Sequence, residues 1–317
     1  MPTTGRSADS RRRSSGNPVL GSSIVTPMSP CPFEFAVENH PLAKATLYHV
    51  GGPARVALFP QTTDEACAAH AWMLTQPRPR LVLGNGSNVL IADQGFPGIV
   101  LFTEGLNQIE ALGNHRYRIQ GGIDLDHIVR AIILANNYEG TGALAGIPGS
   151  VGGALYMNAG TVNGSTCEFV ESVTLITPKG LVTIAMKPEL YGYREQRFCA
   201  TDDLILEGVF RFSHAQEDQQ AVYEHYMNRR RERQPQGRCC GSVFKNPPGE
   251  HAGRLIEACG LKGAQRGGAV ISPIHANFIM NEGGATCEDI LWLIGLCKKA
   301  VHERFGIELV EEVRIIR

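Results

Sequence analysis

Three things are missing from this 317-residue chain, and each closes off a class of function. Net charge is the first: 30 Lys and Arg stand against 31 Asp and Glu, a formal charge of -1. A neutral average offers little to nucleic acid or to an anionic membrane surface, so neither is expected as a partner. The second is any apolar run long enough to span a bilayer. The third is a CxxC pair. The nine cysteines are an odd, irregularly spaced set, with Cys239 and Cys240 adjacent. That pattern fits a reduced, intracellular protein, and no metal site is expected.

What is present is globular. Hydrophobic residues make up 43% and charged residues 19%, and the length allows two or three domains. Residues 1–32 are the exception. They are rich in Ser, Arg, Pro and Gly and cannot bury a core, so a disordered tail is expected. Arg11-Arg12-Arg13 resembles the start of a signal peptide, but Gly21-Ser22-Ser23 and Thr26-Pro27 interrupt the apolar stretch that should follow. Met28 is a candidate alternative start.

From Phe33 on, elements can be placed. Ala54–Phe59, Arg80–Leu83 and Gly98–Phe102 read as strands, and Thr63-Asp64-Glu65 opens a helix with a capping hydroxyl and two acids in the first turn. A second unit runs from about 106 to 212. Arg116–Gln120 alternates as a strand, and Asp124 caps a helix carrying Leu125, Ile128, Val129, Ile132 and Ile133. Ser172–Ile184 reads as a hairpin turning at Pro178-Lys179-Gly180, and Leu204–Phe212 as a strand. Beyond Ser213 come a basic helix at 221–233, a short helix at 252–259 ended by Gly260, and an extended stretch at 269–280. A long helix capped by Thr286 and closed by Gly306 follows, then a last strand at 309–316.

Two glycine-rich segments stand out. Gly84-Asn85-Gly86-Ser87-Asn88 follows the strand Leu81-Val82-Leu83, and its backbone N–H groups could converge on a phosphate. Position 89 is Val, so the third glycine of the dinucleotide fingerprint is missing, and Leu90-Ile91 is strand-like. An ordinary tight turn explains this segment equally well. The second segment, Gly146-Ile147-Pro148-Gly149-Ser150-Val151-Gly152-Gly153, interleaves apolar residues with glycine, which favours a packed loop against a flat cofactor over a flexible one. Near the C-terminus, alternation places Glu312 and Arg314 on one strand face, where an exposed salt bridge is the plain reading.

Taken together and in order, several segments are similar to the UDP-N-acetylenolpyruvoylglucosamine reductase family. They are Tyr48–Ala54, Gly84–Ile91, Ala145–Gly160, Tyr193-Arg194, Gly241–Pro247, His275–Asn281 and Glu312-Val313-Arg314. The resemblance implies an α+β fold: a two-part PCMH-type FAD-binding region (33–105 and 106–212), a smaller α+β substrate-binding domain (213–306), and a terminal strand (307–317) returning to the flavin. It implies reduction of UDP-N-acetylglucosamine enolpyruvate to UDP-N-acetylmuramate for peptidoglycan synthesis. Non-covalent FAD and NADPH as hydride donor come with it, as does a cytoplasmic, monomeric protein. By the same resemblance Arg194, Ser242 and Glu312 fall on catalytic positions. Gly84, Asn85, Gly86, Ser87, Asn88, Ile147, Pro148, Gly149, Ser150, Gly152, Gly153 and Arg314 fall on cofactor positions. Tyr193, Asn246 and His275 fall on substrate positions.

There are departures. Gln196 stands where the family commonly has Ser, two residues after Arg194. The stretch from Arg194 to Ser242 is short, which resembles the subclass without an extra Tyr-bearing loop. Two alternatives stay open. A flavin oxidase of the same fold commonly tethers its flavin through His or Cys, and neither residue occurs in the two glycine-rich loops. A binding module that has lost its chemistry would not need Arg194, Ser242 and Glu312 together. Cys239 and Cys240, just before Gly241-Ser242, are expected to be sensitive to alkylation, with no further role.

Overall fold

Apolar alternation and glycine punctuation resolve into three packed units. A computed structural model describes residues 29–317. The expectations for Arg11–Arg13 and Met28, and most of the expected tail, lie outside the described residues. Within the described residues, the Ser29 backbone N–H donates to Gln76 Oε1 (2.9 Å), and Cys31 packs against the first core.

The first unit contains β1 (Ala36–Pro41), β2 (Pro53–Leu58), α1 (Thr63–Thr75), β3 (Arg80–Leu83), β4 (Val89–Ile91) and β5 (Phe96–Phe102). One sheet has the order β1-β2-β5-β3, with β1 antiparallel to β2 and the remaining pairs parallel. Ile99, Val100 and Leu101 are all buried, as a parallel strand covered on both faces requires. Helix α1 is capped by Thr62 and not by Thr63. The extended backbone at Thr62 lets its hydroxyl accept from the Glu65 N–H (3.1 Å).

The second unit starts with β6 (Ile109–Gly113), β7 (Arg116–Gln120), α2 (Leu125–Ile128), α3 (Thr141–Leu144) and α4 (Val151–Met157). It continues through β8 (Gly160–Thr161), β9 (Gly164–Ser165), β10 (Val170–Thr177), β11 (Gly180–Ala185), β12 (Tyr191–Gly192), β13 (Glu195–Gln196) and β14 (Leu204–Arg211). Its antiparallel sheet has the order β11-β10-β14-β7-β6. Asp124 caps α2 by accepting from the Asp126 N–H (2.9 Å), and the apolar stripe behind it is buried, although α2 loosens into a π turn at 129–133. Helix α4 corrects the reading of 146–153 as a loop throughout. Ser150 caps it by accepting from the Gly153 N–H (3.3 Å), which offsets the poor helix propensity of Gly152 and Gly153.

The third unit holds α5 (Gln219–Arg233), α6 (Ala252–Ala258), β15 (Gln265–Arg266), β16 (Ala269–Ile271), β17 (Ile279–Asn281), α7 (Cys287–Phe305) and β18 (Arg314–Ile316). The stretch 269–280 is not continuous strand. The Ser272 hydroxyl accepts from the N–H groups of Ile274 and His275 (3.1 and 3.3 Å) and turns the chain between β16 and β17. The expected strand at 309–316 is also broken. Residues 310–313 run antiparallel to 243–245, then the chain bends and β18 pairs parallel with β4, Arg314 opposite Val89.

The units share cores. Tyr48, Val50 and Leu90 are buried with α6 and α7, and Ile176, Leu204 and Leu206 of the second sheet pack under the first. Among the described residues no helix is long and apolar enough to cross a membrane. One polar clasp joins the first unit to the third: Asp93 accepts from the α7 N–H groups of Cys287 (2.8 Å) and Glu288 (3.3 Å). A carboxylate over a helix N-terminus satisfies orphan donors and complements the dipole. Asp93→Ala should therefore cost about 1 kcal/mol in urea unfolding, and Asp93→Asn, which keeps an acceptor, less. Midpoints equal to the parent for both would mean the clasp adds nothing.

Candidate active site

A cleft of ≈ 1450 Å³ opens where the three units meet. Each residue named above for the cofactor, the substrate or catalysis lines it. The two glycine-rich segments face each other across one wall, and their fit is reciprocal. A Cβ on Gly84 would overlap Ser150 Oγ, and a Cβ on Gly149 would overlap Ser87 Oγ. Gly149 also has φ +128°, a conformation L side chains rarely adopt. Among the described residues the N–H groups of Asn85, Gly86 and Ser87 donate to no backbone carbonyl. Successive free donors at a glycine turn suit a phosphate or pyrophosphate. Asn85 is steadied by donating from Nδ2 to Asp124 (3.4 Å).

Arg194 and Glu312 meet on the opposite side. Tyr193 and Arg194 are the two-residue turn between β12 and β13, and Arg194 takes φ +56°. Its Nε donates to Glu312 Oε1 (2.8 Å) and its Nη2 to Gly160 O (2.7 Å). The plain reading of Glu312 as half of an exposed pair with Arg314 therefore fails. Its partner lies far away in the chain, and the two side chains are only 16% and 18% exposed. Burial pushes the Glu312 carboxyl above the ordinary glutamate range; Arg194 and, more weakly, Lys245 pull it back without cancelling the rise. Ser242 also lines the cleft, on the segment that pairs with 310–313: the Glu312 N–H donates to Val243 O (2.8 Å).

The remaining candidates surround these. The Arg314 guanidinium stacks 4.8 Å over the Tyr156 ring, and that of Arg194 5.1 Å over Tyr193. The Tyr193 hydroxyl accepts from the Asn246 N–H (3.4 Å). Asn246 spends its Oδ1 capping α6, accepting from the Ala252 N–H (3.1 Å). His275 Nδ1 accepts from the Asn277 N–H (3.2 Å), which assigns the ring proton to Nε2 in the neutral form. Burial, then Lys262, lowers the His275 pKa.

Three features escaped the sequence reading. Tyr156 and Arg230 line the cleft, the latter half-buried and its pKa lowered by burial. Thr103, also in the lining, has a buried hydroxyl with no partner among the described residues. Both thiols of the Cys239-Cys240 pair line the cleft as well. Cys240 is buried and donates from Sγ to Val89 O (3.3 Å), while Cys239 is half-buried; burial raises both thiols, which works against thiolate formation. Among the described residues no group of His, Cys, Asp or Glu could hold a metal ion.

Comparison with known proteins gives a consistent result. The model of the UDP-N-acetylenolpyruvoylglucosamine reductase C-terminal domain matches residues 233–316, and that of an FAD binding domain matches residues 54–185. A UDP-N-acetylenolpyruvoylglucosamine reductase of Geotalea uraniireducens is 39% identical over 286 residues, covering 88% of this chain and 93% of that protein. The same enzyme of Chloroflexus aggregans is 38% identical over 291 residues, covering 88% and 96%. A crystal structure of the reductase from Thermus caldophilus superposes with a TM-score of 0.74 at 31% identity, covering 89% of this chain and 98% of that one.

The reciprocal packing of Gly84 on Ser150 and Gly149 on Ser87 makes a specific demand. Gly149→Ala should weaken FAD binding about tenfold or more, ~1.4 kcal/mol, in a flavin fluorescence titration. Unchanged affinity in a folded variant would mean that the cradle tolerates a side chain there and that the loops are not held in this register.

Proposed function

The chain belongs to the UDP-N-acetylenolpyruvoylglucosamine reductase family, and from that membership we propose that it reduces UDP-N-acetylglucosamine enolpyruvate to UDP-N-acetylmuramate, as an FAD-dependent, NADPH-consuming oxidoreductase of peptidoglycan precursor synthesis. The observation that carries the reading is the meeting of Arg194, Ser242 and Glu312 in one cleft with both glycine-rich loops. We further propose a division into an FAD-binding region of two parts (33–105 and 106–212), a substrate-binding domain (213–306) and a returning terminal strand (307–317). A monomeric, cytoplasmic protein completes the proposal.

The residues fit FAD. Backbone donors of Asn85, Gly86 and Ser87 suit its pyrophosphate, and Gly84, Asn88, the segment Ile147–Gly153 and Arg314, which line the same cleft, would hold the rest of it. FAD held there would supply the redox chemistry, the relay of a hydride from NADPH to the terminal vinyl carbon of the enolpyruvyl ether. The protein's task is the charge and the proton that follow. As the vinyl carbon is reduced, negative charge builds on the neighbouring carbon and the conjugated carboxylate. Arg194 is a fixed cation held at that place, an electrostatic arrangement that needs no reorganisation during the reaction. Glu312 adds to it as an uncharged hydrogen-bond donor, a state its burial favours. Ser242 donates its proton to the carbon bearing the charge and completes the lactyl group. Tyr193, Asn246 and His275 orient the sugar nucleotide.

The oxidase alternative is less well supported. Cys199, a thiol in the cleft wall, is pushed by burial up to about 12, which leaves it a poor nucleophile for tethering flavin.

Ser242→Ala separates the two halves of the reaction. The hydroxyl acts only after hydride has left the flavin, so anaerobic stopped-flow should show normal reduction by NADPH. Reoxidation by the enolpyruvyl sugar should slow about 10²–10⁴-fold, the usual worth of general-acid help, with Ser242→Cys in between. If both halves slow together while FAD stays bound, Ser242 positions the flavin and is not the proton donor.

A further inference from the structure

The buried residue Asn277 uses every kind of polar group it has, on the Val243–Phe244 backbone next to Ser242 and on His275. Its side chain forms a two-way clasp on Phe244: Oδ1 accepts from the Phe244 N–H (3.0 Å) and Nδ2 donates to Phe244 O (2.9 Å). Its own carbonyl accepts from the Val243 N–H (2.8 Å). Its own N–H donates to His275 Nδ1 (3.2 Å). The residue is 3% exposed. An amide that both donates and accepts in this way replaces a neighbouring strand, holding the Val243–Phe244 backbone where no ladder exists on that side.

The opposite edge of that same backbone carries the C-terminal segment. Val243 O accepts from the N–H groups of Glu312 (2.8 Å) and Val313 (3.3 Å), and Lys245 N–H donates to Val310 O (2.9 Å). Ser242 immediately precedes the clasped pair. We infer that Asn277 is a positioning residue of this enzyme: one buried amide that braces the 243–244 backbone from the edge opposite the Glu312 segment, and so holds the proton-donor segment at Ser242 in register with it. The inference rests on the proposed roles of Ser242 and Glu312. Asn277 itself touches no reacting atom. Its chemistry is specific, because Asp keeps an acceptor for the Phe244 N–H but cannot donate to Phe244 O when ionised, and Ala does neither.

The test uses the FAD-loaded protein and its Asn277→Ala and Asn277→Asp variants, read first by amide hydrogen exchange. In Asn277→Ala, exchange should rise about tenfold or more in both 241–246 and 309–314, and stay unchanged in 84–88 and 146–153. FAD content should hold. Reoxidation by the enolpyruvyl sugar should slow about tenfold or more, with NADPH reduction little altered, and Asn277→Asp should lie between parent and Ala. If Asn277→Ala does not fold, the Asp variant carries the same comparison. Loosening confined to 241–246, loosening spread over the whole protein with loss of FAD, or unchanged reoxidation despite local loosening would each overturn the inference. Should the parent enzyme itself fail to reoxidise with the enolpyruvyl sugar, the proposed reaction falls, while the coupled exchange of the two segments still decides whether Asn277 ties them together.

Discussion

The site depends on the contact between Arg194 and Glu312. It is the place where all three units are forced into one geometry. Arg194 belongs to a tight turn of the second unit and holds a left-handed backbone, which for a non-glycine residue costs of order 1–3 kcal/mol. Such a conformation persists only if the surroundings overdetermine it. Here they do: the guanidinium is engaged by Gly160 O and Glu312, and the Arg194 carbonyl accepts from Lys245 Nζ (3.3 Å) of the third unit. Glu312 in turn is held at its backbone by Val243 O on one side and by the Asn88 side chain, which donates to its carbonyl (3.0 Å), on the other. Asn88 ends the glycine-rich turn of the first unit. The cofactor loop, the cation and the acid are therefore coupled by bonds a few residues long.

Much of this was legible in the sequence, and the parts that were not have physical reasons. Strands at 80–83 and 116–120 follow directly from their patterns, and the Thr286 cap is seen in a full capping box with Asp289. Helix α4 was missed because two glycines in its first turn argue against a helix, and only a tertiary setting with a capping serine overrides that propensity. The stretch 269–280 is apolar enough to read as strand, yet one serine hydroxyl folds it into a turn. Asn277 lay inside the family-like segment His275–Asn281, but nothing local marked its side chain, whose partner Phe244 lies 33 residues away. Spacing alone could not join Arg194, Ser242 and Glu312 either. Family resemblance picked them out, and for Glu312 local alternation pointed to the wrong partner. The departure at Gln196 has a local explanation: its side chain accepts from the N–H groups of Phe198 and Cys199 (2.8 and 2.7 Å) and donates to Cys199 O (2.8 Å), tying down the loop after the Arg194 turn.

The same contact sets the electrostatics. A carboxylate beside a guanidinium ordinarily becomes more acidic, and that would make Glu312 a permanent counter-ion, opposing charge build-up on the substrate instead of stabilising it. Burial tips the balance the other way. The account thus turns on the protonation of one residue. Carbon-13 NMR titration of protein labelled at its glutamate carboxyls, with the Glu312 resonance assigned by its loss in Glu312→Gln, measures this directly. The account predicts that Glu312 titrates above its ordinary range, so that a protonated fraction persists at the pH where the enzyme works. A carboxyl fully ionised at that pH would contradict it and make Glu312 only the ionic partner that holds Arg194 in place.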